Sequence, residues 1–270
     1  MFQILWQGEK SRDAREIVQE IKGLNDKGFK EVVLTGVHIG KYSQDGMNLT
    51  ALLKKILSET QMERIRLSSI EPRELDKELI ELLSQERRLC RHLHLPLQAG
   101  SNDILKRMRR NYTAEEYRNL IQGVFDRIEG VTLGADVMVG FPGESEEDFE
   151  KTCEFILSSP LSYLHVFSYS DRRGTLASEM KDKLTPQVIH KRSEILHQIG
   201  KEKWEKHLER FIGKKMEILV EGNRDKKTGR LIGLTDNYIR ILMEGDDGLK
   251  NKILQVKVVK REGKFLVGER

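Results

Sequence analysis

The sequence predicts an α/β chain in two parts, a parallel array of βα units followed by a small antiparallel β-barrel. Three features predict it. Apolar strand-like runs alternate with helical periodicity five times, at spacings of roughly 30–40 residues, the pattern of a parallel sheet with right-handed crossovers, open or barrel-like. Past Gly213 the period changes to short alternating runs separated by turn residues. Between these regions, Val131 to Phe149 reads as a buried strand, a tight Gly140-Phe-Pro-Gly143 loop and a helix start. Ser145 supplies a capping hydroxyl there, and Glu146, Glu147 and Asp148 place three acids on the first helical turn.

In chain order, Ser11-Arg-Asp13 caps a helix with Ile17, Ile21 and Leu24 on one face, ending at Gly28, and Glu31 to Gly36 follows as a short buried strand. A helix near Leu49–Leu57 leads to the strand Arg64–Ile70, and a helix near Leu75–Leu83 leads to Arg91–Leu97. Helices over Asn102–Met108 and Ala114–Ile128 lead to the central strand, and a helix over Glu146–Leu157 leads to Leu161–Phe167. In such arrays ligands sit beyond the carboxyl ends of the strands. Those ends are polar here: Thr35-Gly-Val-His38, Ser68-Ser-Ile-Glu-Pro72, Pro96-Leu-Gln-Ala-Gly-Ser101, Gly140-Phe-Pro-Gly-Glu144 and Tyr169 to Thr175. Five polar ends in register point to one shared, ligand-sized pocket, although each taken singly is also a loop that needs glycine. Asp136 interrupts the central apolar run, and a carboxylate there must face a polar cavity or brace a neighbouring loop.

After Thr185-Pro186 a long amphipathic helix runs near Val188 to Leu208, with Ile195, Leu196, Ile199 and Trp204 apolar. Five short strands follow, Lys215–Glu221, Arg230–Thr235, Asn237–Leu242, Lys252–Val259 and Lys264–Val267, which make a barrel of the OB-like size. The domain division expected is 1–210 and 211–270. Residues 211–270 carry 14 Lys+Arg against 9 Asp+Glu while the whole chain carries +4, so the preceding part is slightly acidic. A basic barrel of this kind fits a polyanion such as nucleic acid, with a dimerising or stabilising appendage as the alternative.

A chain of 270 residues, 38% hydrophobic and 33% charged, has ample core for one large domain and a small one. No run approaches the ~18 apolar residues of a membrane span. Met1 to Trp6 is too short for a signal-peptide core, so a cytoplasmic location is expected. Cys90 and Cys153 are the only cysteines, too far apart and too isolated for a disulfide framework or a metal knuckle, and read as buried free thiols.

Taken together, the strand-end motifs resemble those of the radical-SAM methylthiotransferases that modify tRNA, and are most similar to the bacterial branch acting on threonylcarbamoyladenosine beside the anticodon. The resemblance is carried by Leu34-Thr-Gly-Val-His-Ile-Gly40, Arg66-Leu-Ser-Ser-Ile-Glu-Pro72, His92-Leu-His-Leu-Pro-Leu-Gln-Ala-Gly-Ser101, Leu105 to Thr113, Asp136-Val-Met-Val-Gly-Phe-Pro-Gly-Glu144 and His165 to Thr175. It runs from about Gly8 to the C-terminus, and the tail resembles the family's RNA-binding TRAM domain. The resemblance implies a partial βα barrel of radical-SAM type around a [4Fe-4S] cluster and S-adenosylmethionine, whose reductive cleavage gives a radical that abstracts hydrogen from C2 of the adenine. A second cluster on a separate N-terminal domain supplies sulfur in that family, and a second S-adenosylmethionine the methyl group. By motif position, Thr35 and Gly36 would contact the methionine moiety, Ser69, Glu71, Gln98 and Asp136 would line the cofactor and substrate pocket, and Arg172 would face its mouth. Lys106, Arg107, Arg109 and Arg110 would meet tRNA phosphates. The implied partner is the tRNA anticodon stem-loop, with no membrane, and the full-length family protein is expected to be a monomer.

Three departures from the family pattern bear on this. Gly8 aligns with a glycine just after the family's C-x-x-x-C-x-x-C motif, so Met1 stands about where the third cysteine belongs, and no cluster cysteines are present; the cluster is not expected to bind this chain alone. The sulfur-donor domain is likewise absent, and the expectation is a chain shortened before its cluster loop and inactive by itself. Phe2 to Gln7 differs from the family's usual approach to the glycine, and Ala99 replaces a usual serine. Loss of the first barrel strand would leave the strand at Glu31 as an exposed edge, with low solubility as the consequence. Two other readings stand beside this one: a non-catalytic tRNA-binding protein that keeps the basic barrel, and a cluster-free βα-barrel enzyme with Asp136 and Glu71 as acid and base.

Overall fold

A computed structural model describes residues 11–270, so Met1, Phe2 to Gln7 and Gly8 lie outside the described residues. The elements are α1 (Ala14–Asp26), β1 (Glu31–Leu34), α2 (Leu49–Glu59), β2 (Arg64–Leu67), α3 (Lys77–Gln85), β3 (His92–His94), α4 (Asn102–Arg107), α5 (Ala114–Arg127), β4 (Thr132–Val139), α6 (Glu146–Ser158), β5 (Tyr163–Ser168), α7 (Leu176–Glu179), α8 (Pro186–Glu209), β6 (Lys215–Arg224), β7 (Leu231–Thr235), β8 (Arg240–Met243), β9 (Ile253–Glu262) and β10 (Phe265–Glu269). Short polar side chains start the helices: Asp13 accepts from the amides of Arg15 and Glu16, Asn48 from Ala51, Asp76 from Leu79, and Ser145 with Asp148 forms a reciprocal capping box. The α/β class and the order of elements agree with the sequence pattern. The described residues form two compact units, one containing the chain up to residue 93 with 128–132 and 206–270, the other 94–127 and 133–205.

In the first unit β1 and β2 pair in parallel, Glu31 opposite Arg64 through Leu34 opposite Leu67. The expected strand over Arg91–Leu97 does not extend this ladder. Only an isolated bridge joins Ile65 to Leu89, and a three-residue turn centred on Arg91, closed by His92 N–H to Cys90 O at 2.8 Å, ends it. The strand pairs therefore fall into separate sheets, β1-β2 and β3-β4-β5, where the spacing alone suggests one array.

Strands β6 to β10 close a barrel in the order β10-β8-β7-β6-β9 around Ile218, Val220, Leu231, Ile241, Val258 and Leu266, all buried. Four neighbouring pairs are antiparallel and the closing pair, β10 with β8, is parallel. This refines the all-antiparallel expectation for a topological reason: strand direction cannot alternate around a closed ring of odd number. The small-barrel architecture itself is as expected.

The barrel is fastened to β2 by arginines. Side chains alternate along a strand, so Ile65 and Leu67 turn into the core while Arg64 and Arg66, only 2% and 3% exposed, turn to the barrel. The guanidinium of Arg64 donates to Leu234 O at 2.7 Å and Glu217 O at 3.1 Å. Arg66 donates to both carboxylate oxygens of Glu31, at 2.7 and 3.1 Å, and to the carbonyls of Asp236 and Thr235 at 2.8 and 3.1 Å. Arg91 forks onto the Asp236 carboxylate at 2.6 and 3.2 Å, and the His92 ring stacks on Tyr238 at 4.3 Å. Asn237, fully buried, donates to Gly130 O at 2.8 Å.

In the second unit β4 and β5 pair in parallel from Gly134 opposite Tyr163 to Val139 opposite Ser168, within the sheet β3-β4-β5. Leu133, Ala135, Val137 and Val139 lie on one buried face, with Gly134, Asp136 and Met138 on the other. Tyr163 fits against Gly134, where a Cβ would come within 2.1 Å of its ring.

Two stability predictions follow from the first unit. Arg66→Ala takes the bidentate donor from the buried Glu31 carboxylate and a donor from the Asp236 carbonyl, and is expected to cost about 3–5 kcal/mol in urea unfolding. Combining it with Glu31→Ala is expected to cost clearly less than the sum of the single changes, and strict additivity would show that the pair is not coupled. Burial pushes the His207 imidazole down to about 3, with Arg210 adding to the effect, and its Nε2 lies 2.8 Å from Thr132 Oγ1. An unfolded imidazole titrates near ~6.5, so below that pH the unfolded chain binds a proton that the folded chain excludes. The contribution is full above pH ~6.5 and declines as pH falls toward 3, by up to about 1.4 kcal/mol per unit. Unfolding free energies measured from about pH 7 to about pH 4.5 are expected to fall less steeply for His207→Gln than for the parent, and parallel profiles would contradict this assignment.

Candidate functional site

Parallel pairing places the first group of sequence-predicted residues at one edge. Thr35 and Gly36 follow β1, and Ser69 and Glu71 follow β2, whose ladder continues one step to Ser68 N–H on Leu34 O at 3.0 Å. Ser69 is exposed, while Thr35, Gly36 and Glu71 are partly exposed. Next to them, His38 adopts a left-handed backbone with φ 53° and its Nδ1 lies 2.9 Å from Glu74 Oε1.

In the second unit the backbone brings Gln98 and Asp136 together. Gln98 N–H donates to Asp136 O at 2.8 Å and Gln98 O accepts from Met138 N–H at 2.9 Å, so the chain after β3 stays zipped to β4. At the same residue the chain turns: Ala99 N–H donates to Leu97 O at 2.9 Å and Gln98 holds φ 67°, a positive-φ three-residue turn rare for a residue with a Cβ. The segment that follows is braced by α6. Gly100 N–H donates to Thr152 Oγ1 at 3.0 Å, and Ser101 Oγ donates to Asp148 Oδ1 at 2.5 Å. Gly100 is required there, since a Cβ would lie 2.7 Å from the Thr152 Cα.

Asp136 holds the segment after β3 through its main-chain carbonyl, while its side chain has other partners. Its carboxylate points across the sheet to two imidazoles, His94 Nε2 at 2.9 Å and His165 Nδ1 at 3.4 Å. Burial would raise its pKa, but the hydrogen bond to His94 and the charges of His94 and His165 outweigh burial and hold it below the usual carboxylate range. The Tyr163 hydroxyl lies 3.2 Å from His94 Nδ1, and the His94 and His165 rings stack at 4.9 Å. Sequence reasoning quoted both histidines within motifs but gave them no role. The signal available was parity: His94, Asp136 and His165 each place a polar side chain on one of three strands that follow one another in the chain.

The loop after β4 is held by a buried carboxylate. Glu144, 7% exposed and raised in pKa by burial, accepts from Gly140 N–H and lies 3.4 Å from Arg192, itself 5% exposed. Of the basic residues expected to meet phosphate, Lys106 and Arg109 are exposed and Arg110 is partly so. Arg107, also exposed, rests on Gly143, where a Cβ would come within 2.2 Å of its guanidinium. Arg172 is exposed on the loop after β5, where its carbonyl accepts from the Thr175 hydroxyl. In the first unit a separate cleft of about 580 Å³ carries Arg87, Arg91, Lys214 and Lys215 together with Glu86, Glu129 and Glu217.

The thiols do not match an iron-sulfur site. A [4Fe-4S] cluster of this type takes three thiolates, and the sequence has two cysteines. Burial pushes the Cys90 thiol up to about 12, and burial with the nearby Glu144 and Glu146 pushes Cys153, on α6, up to about 11. Both are therefore protonated near neutrality, the opposite of what a thiolate ligand requires. The residues of this chain do not fit the cluster.

The Radical SAM superfamily profile matches residues 4–156. A threonylcarbamoyladenosine tRNA methylthiotransferase of Aquifex aeolicus is 44% identical over 238 residues, covering 87% of this chain and 56% of that protein. The Bacillus subtilis protein of the same name is 36% identical over 267 residues, covering 95% of this chain and 59% of its own. A tRNA-2-methylthio-N(6)-dimethylallyladenosine synthase of Pelotomaculum thermopropionicum is 35% identical over 253 residues, covering 93% and 56%. The chain thus spans a little over half the length of these curated relatives. Its profile match extends over more than half of its residues and includes the parallel βα units that carry the strand-end motifs, and the chain belongs to the radical SAM superfamily.

Proposed function

We propose that this chain is the S-adenosylmethionine- and RNA-binding portion of a tRNA methylthiotransferase that acts at C2 of N6-threonylcarbamoyladenosine in the anticodon stem-loop. Residues 1–210 form the cofactor-binding part in this reading and residues 211–270 the RNA-binding barrel. The observation that carries it is the ordered set of strand-end motifs together with identities of 35–44% to named tRNA methylthiotransferases and synthases. The reading includes a cytoplasmic protein, monomeric at full length. Among the described residues no helix is long and apolar enough to cross a membrane.

S-adenosylmethionine, when bound in a radical SAM enzyme, supplies the 5′-deoxyadenosyl group, and the donor set here suits such a ligand. In the first unit Thr35, Ser69 and Glu71 offer hydroxyls and a carboxylate to such a ligand, and in the second unit Gln98 offers a side-chain amide and Asp136 a carboxylate. Gly36 lets the ligand approach the backbone. Lys106, Arg107, Arg109, Arg110 and Arg172 contribute positive charge toward the tRNA backbone, as does the basic surplus of the barrel. Because the chain holds no three-thiolate set, it does not by itself deliver the electron that starts the reaction.

A second reading, a tRNA-binding protein without catalysis, is favoured by the basic surplus of residues 211–270 beside a chain with only two cysteines. Anaerobic reconstitution with iron and sulfide, followed by a reductant, S-adenosylmethionine and an anticodon stem-loop RNA, separates the possibilities. The expected result is no 5′-deoxyadenosine, retention of S-adenosylmethionine in equilibrium dialysis, and RNA affinity that falls with rising salt. Formation of 5′-deoxyadenosine would overturn the proposed inactivity, and RNA binding without S-adenosylmethionine binding would favour the second reading.

A further inference from the structure

We propose that His94, Asp136 and His165 form a binding site for a divalent transition-metal ion of the zinc class, open to solvent on one side. The inference does not rest on the radical reading. It comes from the sheet. Asp136 on β4 is in direct register with His165 on β5, and His94 ends the adjoining strand β3. Neighbouring strands lie ~4.8 Å apart, so same-face residues in register project into one small volume.

One ligand atom from each residue lies within 4.8 Å of the other two, with Asp136 Oδ1 at 2.9 Å from His94 Nε2 and 3.4 Å from His165 Nδ1. A metal bonded at ~2.1 Å separates its ligand atoms by about 3.0 Å at a right angle and about 3.4 Å at a tetrahedral one. Two of the three edges already have these lengths, and small ring movements bring the third into range. Two imidazoles and a carboxylate suit zinc and its neighbours rather than magnesium or calcium, which prefer all-oxygen shells.

The surroundings support a ligand set. Metal-bound imidazoles usually have the second ring nitrogen held by a polar partner, which fixes the tautomer. The Tyr163 hydroxyl sits 3.2 Å from His94 Nδ1 and leaves Nε2 to face Asp136. Tyr163 is itself fixed, pressed against Gly134 and meeting the edge of Trp204 at 5.9 Å. Access is graded: the His94 side chain is 8% exposed, Asp136 23% and His165 57%, so protein closes one side and the remaining coordination positions face solvent. Three protein ligands with an open position is the arrangement of zinc sites that accept water or substrate.

The test uses the full chain without a polyhistidine tag, stripped with EDTA and titrated with Zn²⁺ against a chromophoric chelator, in the absence of S-adenosylmethionine. The expected result is one equivalent per chain with a Kd below about 1 µM. His165→Ala and Asp136→Asn should each weaken binding by at least about tenfold. A Cys90→Ser/Cys153→Ser variant should bind as the parent does. The His165 ring is more than half exposed, so His165→Ala should keep the parent's circular dichroism and urea midpoint, which separates loss of a ligand from loss of fold. Less than stoichiometric uptake, or equal affinity in the parent, His165→Ala and Asp136→Asn, would overturn the site and leave a hydrogen-bonded His-Asp-His cluster only.

Discussion

Two buried guanidinium groups set the organisation of the first unit. Arg64 and Arg66 sit on a strand of four residues, all of them buried, where an unpartnered charge would be untenable. Their partners come from two sources, the Glu31 carboxylate of β1 and main-chain carbonyls of the barrel, on β6, at the end of β7 and in the turn after it. The barrel thereby acts as the polar lining of one face of β2. A short two-stranded sheet could not satisfy these donors, and a barrel lying elsewhere would leave both guanidiniums without the carbonyls of Glu217, Leu234, Thr235 and Asp236. Asp236 extends the arrangement by receiving Arg91, and the Tyr238 ring covers His92 and Arg66.

Most of the architecture was legible in the sequence because local signals agreed with one another. Capping side chains at Ser11-Arg-Asp13 and Ser145, the apolar periodicity of the helices and the change of period after Gly213 each report on a few neighbouring residues, and each corresponds to an observed element. What escaped depends on partners far along the chain. Arg64 and Arg66 fall in the expected strand Arg64–Ile70, and nothing local reveals that acceptors for them lie about 170 residues later. The break at Arg91 was hidden for a related reason, since Arg91 to Leu97 is a plausible strand by composition and the interruption is a main-chain turn.

The site divides in the same way. Looking beyond the strand ends located Gln98, whose positive φ and paired hydrogen bonds to β4 mark a conformationally strained position. Asp136 stood out by a different signal, because a carboxylate inside an apolar run demands a partner. The rule passed over His165, on the body of β5, and His94, which falls inside the strand expected over Arg91–Leu97 although β3 ends at it. Period-2 alternation puts them on the same face as Asp136, and only the sheet order and register show that the three side chains meet.

The odd number of strands in the barrel has a consequence for how the chain is made. With β10 seated in parallel beside β8, the ring cannot shut until its last strand has emerged, although the carbonyls that receive Arg64 and Arg66 belong to a segment synthesised earlier. Synthesis from the N-terminus makes these carbonyls available to Arg64 and Arg66 before β10, the strand that shuts the ring, has emerged.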